Sequence, residues 1–143
     1  MKPVTIIKMG LTITLLLNTV VIMAQTKGMI FFEGSFKAAM AKAKQEKKYL
    51  FLDAYTSWCG PCKTMEHEVF TDPAVAEFFN ANFICIRIDM EKGEGCTLSE
   101  KLRSVNGYPS LLFFSPQGYL FKTVLGSREP KVFLEEAKLA MID

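Results

Sequence analysis

Residues 49–55 read Tyr49-Leu50-Phe51-Leu52-Asp53-Ala54-Tyr55, and residues 57–63, directly after them, read Ser57-Trp58-Cys59-Gly60-Pro61-Cys62-Lys63. The first run is apolar at nearly every position. That is the mark of a strand buried on both faces, as in a parallel sheet, rather than of a strand with one wet face. The second run carries Pro61, which a helix accepts in its first turn because the N–H that proline lacks has no helical partner there. Together they predict a strand, a tight connection, and a helix that starts at the cysteines and runs toward Val69.

Working outward, Phe36, Ala39, Met40 and Ala43 fall at helical spacing, with lysines on the other face. Asp72-Pro73 is an N-cap followed by proline at the first helical position, with Val75, Phe78 and Phe79 as the apolar face. Residues 83–89, "FICIRID", are a second strand, and 91–95, "EKGEG", a polar loop. Thr97-Leu98-Ser99-Glu100 fits a capping box for a helix whose stripe is Leu98, Leu102 and Val105. Residues 110–114 and 119–124 flank a Pro116-Gln117-Gly118 turn as two antiparallel strands. Pro130 opens a last helix with Phe133, Leu134, Ala137 and Met141 facing in. "MIFFEGS", residues 29–35, adds a possible edge strand. Alternating strands and helices imply an α/β layered domain, and the hairpin makes its sheet mixed, with four to five strands flanked by helices.

The chain has 143 residues, with 17 basic and 15 acidic. Lys2 and Lys8 precede an apolar run that ends at the small residue Ala24. This is the pattern of a cleaved secretory signal over residues 1–24, with a single domain over 25–143. The run is shorter than the ~20 apolar residues that span a bilayer, although an uncleaved anchor is the alternative. No cysteine lies near the cut, which disfavours a lipid anchor. Removing Lys2 and Lys8 leaves 15 basic residues against 15 acidic ones. Nothing in that balance points to nucleic acid or to an anionic membrane.

A cysteine pair three positions apart has three readings. Structural zinc takes four ligands, and Cys85, Cys96 and His67 form no second close pair, so no metal is expected. A disulfide stabilises chiefly by closing long loops, and this one encloses two residues. A redox pair uses the whole stretch. The attacking species is a thiolate, and the partial positive charge at a helix N-terminus favours it at Cys59. Cys59 is then the exposed nucleophile. Cys62, one turn in and more buried, resolves the mixed disulfide. Gly60 lets a substrate backbone come close. No phosphate-binding loop or dinucleotide fingerprint is present, so no cofactor is expected.

Trp58-Cys59-Gly60-Pro61-Cys62-Lys63 resembles the active-site motif of the thioredoxin family. The likeness extends over roughly residues 33–142. "FKAAMAKAKQEKKYLFLDAY", "EHEVFTDPAV" and "LLFFSPQG" are similar to the periplasmic C-terminal domain of the membrane thiol–disulfide interchange reductases, and to stand-alone secreted relatives. The resemblance implies a thioredoxin-like fold and a periplasmic or secreted thiol–disulfide oxidoreductase. It would reduce protein disulfides as a monomer and draw electrons from a membrane donor protein. A thioredoxin-fold binding or chaperone module with idle cysteines is the rival, and retention of both cysteines, Asp53 and Pro109 speaks against it.

The resemblance also assigns supporting residues. Asp53, the lone charge in its strand, occupies the place of a buried acid that moves the Cys62 proton through water. Burial should lift its pKa. The alternative is a strand-end Asp held by backbone donors. Pro109 of Tyr108-Pro109-Ser110 is expected to be cis, with the Tyr108 backbone pairing with substrate; Ser110 stands where relatives more often have Thr. Trp58 shields the disulfide and contacts partners. Glu66 shares the Cys62 face of the helix and tunes the cysteines, or is simply solvated. His67 and Lys63 are surface residues. Cys85 counts back from Asp89 to the position of a lysine that faces the buried acid in many relatives, so Asp53 is expected to lack that cation. Otherwise Cys85 is a core residue. Cys96, placed in the polar loop, is a free thiol, a buried Cys, or the partner of Cys85.

Overall fold

The computed structural model describes residues 27–141. The proposed signal over 1–24 lies outside the described residues. Elements follow in the order α1 (Phe36–Glu46), β1 (Tyr49–Tyr55), α2 (Gly60–Thr64, continued by a π-helical turn over Met65–Val69), α3 (Pro73–Asn82), β2 (Phe83–Asp89), α4 (Glu94–Lys101), β3 (Ser110–Phe114), β4 (Leu120–Leu125) and α5 (Pro130–Ala140). The sheet runs β2-β1-β3-β4, with β1 parallel to β2 and antiparallel to β3, and β3 antiparallel to β4. It is the mixed sheet flanked by helices that the element pattern implies. The expected edge strand near residue 31 is reduced to a single bridge between Phe31 and Cys85.

Local chemistry sets the boundaries. Ser35 Oγ accepts the Ala38 N–H at 3.1 Å and starts α1. Asp72 Oδ1 accepts the N–H groups of Ala74 and Val75 at 2.9 and 3.0 Å, with Pro73 beside it, and starts α3. Gly118, at φ +93°, closes the β3–β4 turn through its N–H to Ser115 O.

Because β1 is central, each of its faces meets a core. Phe51 packs against Met65, Val69, Phe79, Phe113 and Phe133. Leu50, Leu52 and Ala54 point the other way, toward Ala39, Ala43, Ile86 and Leu112. Phe79 and Phe133 stack at 4.7 Å. Strand alternation puts Asp53 on the Phe51 face, the aromatic one.

The start of α4 corrects the capping-box expectation. The helix begins at Glu94, three residues before Thr97. Gly93 adopts φ +53°, which suits glycine, and Glu94 Oε1 accepts the Phe36 N–H at 2.8 Å. Gly95 is buried against the Asp89 carbonyl, where a Cβ would sit 2.0 Å from that oxygen. A helix start inside a glycine-bearing polar run is hidden from pattern reading, because here glycine serves close packing rather than a loop. Cys96 therefore lies on a helix, exposed and free. Gly95→Ala should cost about 1–3 kcal/mol, the usual penalty for overpacking, read as a lower midpoint in urea denaturation. Gly60→Ala, with nothing within 4 Å of its Cβ position, should leave the midpoint near wild type.

Candidate active site

β1 ends at Tyr55, and the chain turns through Thr56–Trp58 into the N-terminus of α2. Cys59 is the N-cap of that helix and Cys62 lies in its first turn, after Pro61. The two are joined by a disulfide with Cα atoms 5.3 Å apart. Cys59 Sγ accepts the Cys62 N–H at 3.2 Å. Both cysteines are covered, at 3% and 2% exposure. In this bonded form the expected difference in exposure between Cys59 and Cys62 does not appear. The helix distinguishes them, since only Cys59 stands at the positive end with its sulfur among free N–H groups.

Asp53 is fully buried. Its Oδ2 accepts a hydrogen bond from Arg87 Nε at 2.8 Å, and its Oδ1 has no hydrogen-bond partner among the described residues. Burial pushes the Asp53 carboxyl up to about 6, against the pull of Arg87. The cation expected to be missing is therefore present, supplied by a different residue. The parallel register pairs Asp53 with Arg87 and Phe51 with Cys85. Cys85 is a buried free thiol in the aromatic core, and burial pushes its pKa up, so it stays protonated. Arg87 also reaches outward. Its Nη1 meets Glu66 Oε1 at 2.9 Å, and its guanidinium lies over the Tyr55 ring at 4.5 Å and near Phe31 and Phe70 at 5.7 Å. Glu66 thus faces the buried acid through Arg87. Pattern reading missed Arg87, although Phe83, Cys85 and Arg87 alternate onto one face of their strand. Only the register shows which of them faces Asp53.

Around the disulfide, Trp58 is 66% exposed. Its Nε1 donates to Glu91 Oε2 at 2.9 Å, and its ring meets Tyr108 edge-on at 6.2 Å. Lys92 Nζ reaches Ser57 Oγ at 3.1 Å. The Tyr108–Pro109 bond is cis, and the Pro109 carbonyl accepts the Gly126 N–H at 2.8 Å. Ser110 Oγ donates to Gly107 O at 2.7 Å, which accounts for a buried hydroxyl at that position. Gly60 and Pro61 are exposed, as are His67 and Lys63. A concavity of about 600 Å³ lined by Tyr49, Phe121, Lys122 and Leu139 includes none of these residues.

The raised Asp53 pKa makes stability depend on pH. The folded state holds this proton up to about pH 6, whereas the unfolded chain releases it near 3.8. Between those values the folded state binds more protons, so stability falls as pH rises through that window and stays lower above it. The loss is on the order of 3 kcal/mol. Denaturant unfolding of the oxidised protein from pH 4 to 8 should show this decline, and Asp53→Asn should remove most of it.

Residues 32–116 match the thioredoxin-like family model. That span runs from before α1 through β3 and holds both cysteines, Asp53, Arg87 and Pro109. The thiol:disulfide interchange protein DsbD 1 of Pseudomonas aeruginosa is 37% identical over 82 residues, which are 57% of this chain but 14% of that protein. Thioredoxin-1 of Drosophila melanogaster is 33% identical over 66% of this chain and 81% of its own length. Among solved structures, a Bacteroides thetaiotaomicron protein put forward as a disulphide-isomerase superposes with a TM-score of 0.71 at 42% identity, covering 82% of this chain and 97% of its own. The oxidised C-terminal domain of Neisseria meningitidis DsbD gives 0.62 at 25% identity, over 79% of this chain and 99% of that domain. With its cysteine pair at a helix start and its cis proline both inside the matched span, the chain belongs to the thioredoxin-like family.

Proposed function

We propose that this protein is an exported thiol–disulfide oxidoreductase that reduces protein disulfides through Cys59 and Cys62. The observation that carries the proposal is the bonded pair at the N-terminus of α2, with a buried carboxyl on the strand that leads into it. In the reduced protein, the Cys59 thiolate attacks a substrate disulfide and forms a mixed disulfide, releasing one substrate thiolate. Cys62 gives its proton to Asp53 through water and, as a thiolate, attacks Cys59 Sγ. The Cys59–substrate bond breaks, the second substrate sulfur leaves and takes a proton from water, and two electrons have passed to the substrate. Asp53 suits this role because a carboxyl poised near 6 accepts a proton at neutral pH and returns it readily.

Trp58, Gly60, Pro61, Tyr108 and Pro109 form the substrate-contact surface. Trp58 and Tyr108 offer apolar area with a polar tip, and Gly60 has open space above it for a substrate chain. The basic, apolar, small-residue order of 1–24 supports export, and the named DsbD relatives support a periplasmic setting. A reductase outside the cytosol needs electrons carried across the membrane, so a membrane donor protein is its partner. Direction is set by reduction potential and by that donor.

Cys59→Ser should drop protein-disulfide reduction to the uncatalysed rate while leaving circular dichroism unchanged. Cys62→Ser should accumulate a stable mixed disulfide with substrate. Persistent activity in Cys59→Ser would sink the assignment. Mass spectrometry of the exported chain should find its start near Gln25; a retained N-terminus in the membrane fraction would mark an anchor instead.

A further inference from the structure

The charge balance over residues 25–143 gives no sign of an anionic partner, but the fold distributes those charges unevenly. At the pole away from the cysteines, β1 and β2 start, β3 ends and β4 starts. The end of α1 leads into β1 there. The end of α5 joins them, since Leu139 and Ala140 line one concavity with Tyr49, Ser115 and Phe121. A second concavity lies between Ile30, Lys42, Lys48 and Phe83. Tyr49 links the two, with its ring 5.6 Å from Phe83 and 5.7 Å from Phe121. Residues 42–49, 115–122 and 137–141 thus bring Lys42, Lys44, Lys47, Lys48, Lys122 and Lys138 to this pole, against Glu46 alone. The other described residues are net acidic.

The same pole carries apolar surface. Of the eight large apolar side chains exposed among the described residues, Ile30, Tyr119, Leu120, Phe121 and Leu139 are here. Gly118 lies beside Met40 of α1, so the turn that carries Tyr119 adjoins the lysine-bearing helix. Lys47 ends α1 at φ +54°, a left-handed position that glycine ordinarily fills. It is the one described residue other than glycine at positive φ. A lysine there costs backbone energy that glycine would save, and what it adds is an exposed charge at this pole.

We propose that this pole is a docking surface for a bilayer bearing anionic lipid headgroups. Lysines are attracted to such a surface, tyrosine favours the headgroup level, and aliphatic tips enter the boundary beneath it. Exposed apolar side chains grouped at one end of a domain mark an interaction site rather than ordinary surface. A second copy of the chain is a poor occupant, because two such faces would set like charges together. A soluble anion is a poor one too, since it would leave the five apolar side chains in water. Docked in this way, the cysteine end of β1 points away from the bilayer, toward partners in the aqueous phase. Neither cysteine takes part in the contact, so docking is independent of the redox chemistry.

The test is co-sedimentation of the chain from Gln25 onward, which keeps every described residue, with lipid vesicles. One set is phosphatidylcholine alone, the other an equal mixture of phosphatidylcholine and phosphatidylglycerol. The protein should bind the mixed vesicles and not the neutral ones. Raising salt from ~0.1 to ~1 M, which shortens the screening length from about 10 to about 3 Å, should release it. Lys44→Gln/Lys47→Gly should weaken binding by about tenfold or more, from about fivefold for each lysine. Both positions are exposed and glycine suits the backbone at 47, so this variant keeps its fold. Tyr119→Ser/Leu139→Ser should also weaken binding, with every lysine in place. Lys63→Gln/Lys131→Gln, at the cysteine end, should bind as wild type does. All of these pole variants should reduce a soluble disulfide at the wild-type rate. Equal binding to neutral vesicles, or pole variants that bind like wild type, overturns the proposal. So does a dimer that Tyr119→Ser/Leu139→Ser abolishes in a protein that ignores vesicles, which would make the pole a self-interface. Release by inorganic phosphate beyond that by chloride at equal ionic strength would name a soluble anion as the occupant and overturn it as well.

Discussion

The central constraint in this molecule is that β1 is covered on every side. It is hydrogen-bonded to β2 on one edge and β3 on the other, and packed by a core on each face. Side chains on such a strand have no route to water except past its end. The exit of β1 is therefore where this strand reaches the surface. Cys59 and Cys62 stand at that exit, on a helix whose first N–H groups are free to stabilise a thiolate.

Asp53 answers the same constraint in the opposite sense. Alternation along β1 puts it on the aromatic face, where a lone carboxylate is costly. Arg87 offsets part of that cost, and Arg87 is held in turn by rings on one side and Glu66 on the other. The outcome is a compromise. Desolvation outweighs the nearby cation, and the carboxyl settles near neutrality instead of being pinned as a permanent ion. A stronger pair would leave a weaker base, and no pair would leave a permanent acid. The chain of contacts from Asp53 to the half-exposed Glu66 also links a buried group to solvent without opening the core.

The two cysteines differ in their place on the helix rather than in exposure. In the disulfide form neither sulfur is open, so accessibility does not separate the two cysteines. Position does: Cys59 caps the helix and Cys62 belongs to it. Trp58 is tied to Glu91 and set edge-on against Tyr108, the residue before the cis proline.

Much of this was legible in the chain alone. The apolar run 49–55 reads as a doubly buried strand, Pro61 and Pro73 suit helix starts, and Asp72 suits the cap of the helix it precedes, because these follow from local sterics and hydrogen bonding. The redox pair was legible for the same reason: strand, turn and helix N-terminus are consecutive in sequence. Tertiary structure decided the rest. Whether Cys85 or Arg87 faces Asp53 depends on the register between two strands whose paired residues lie 34 apart in sequence, and a shift of two residues would exchange them. Residue spacing within one strand carries no information about that. The start of α4 at Glu94 depends on a carbonyl from another element filling the space where Gly95 has no side chain. The sequence determined which segments form and what chemistry they carry; packing between segments decided which charged group each buried one meets, because a buried carboxylate takes as its partner the group that the fold sets beside it.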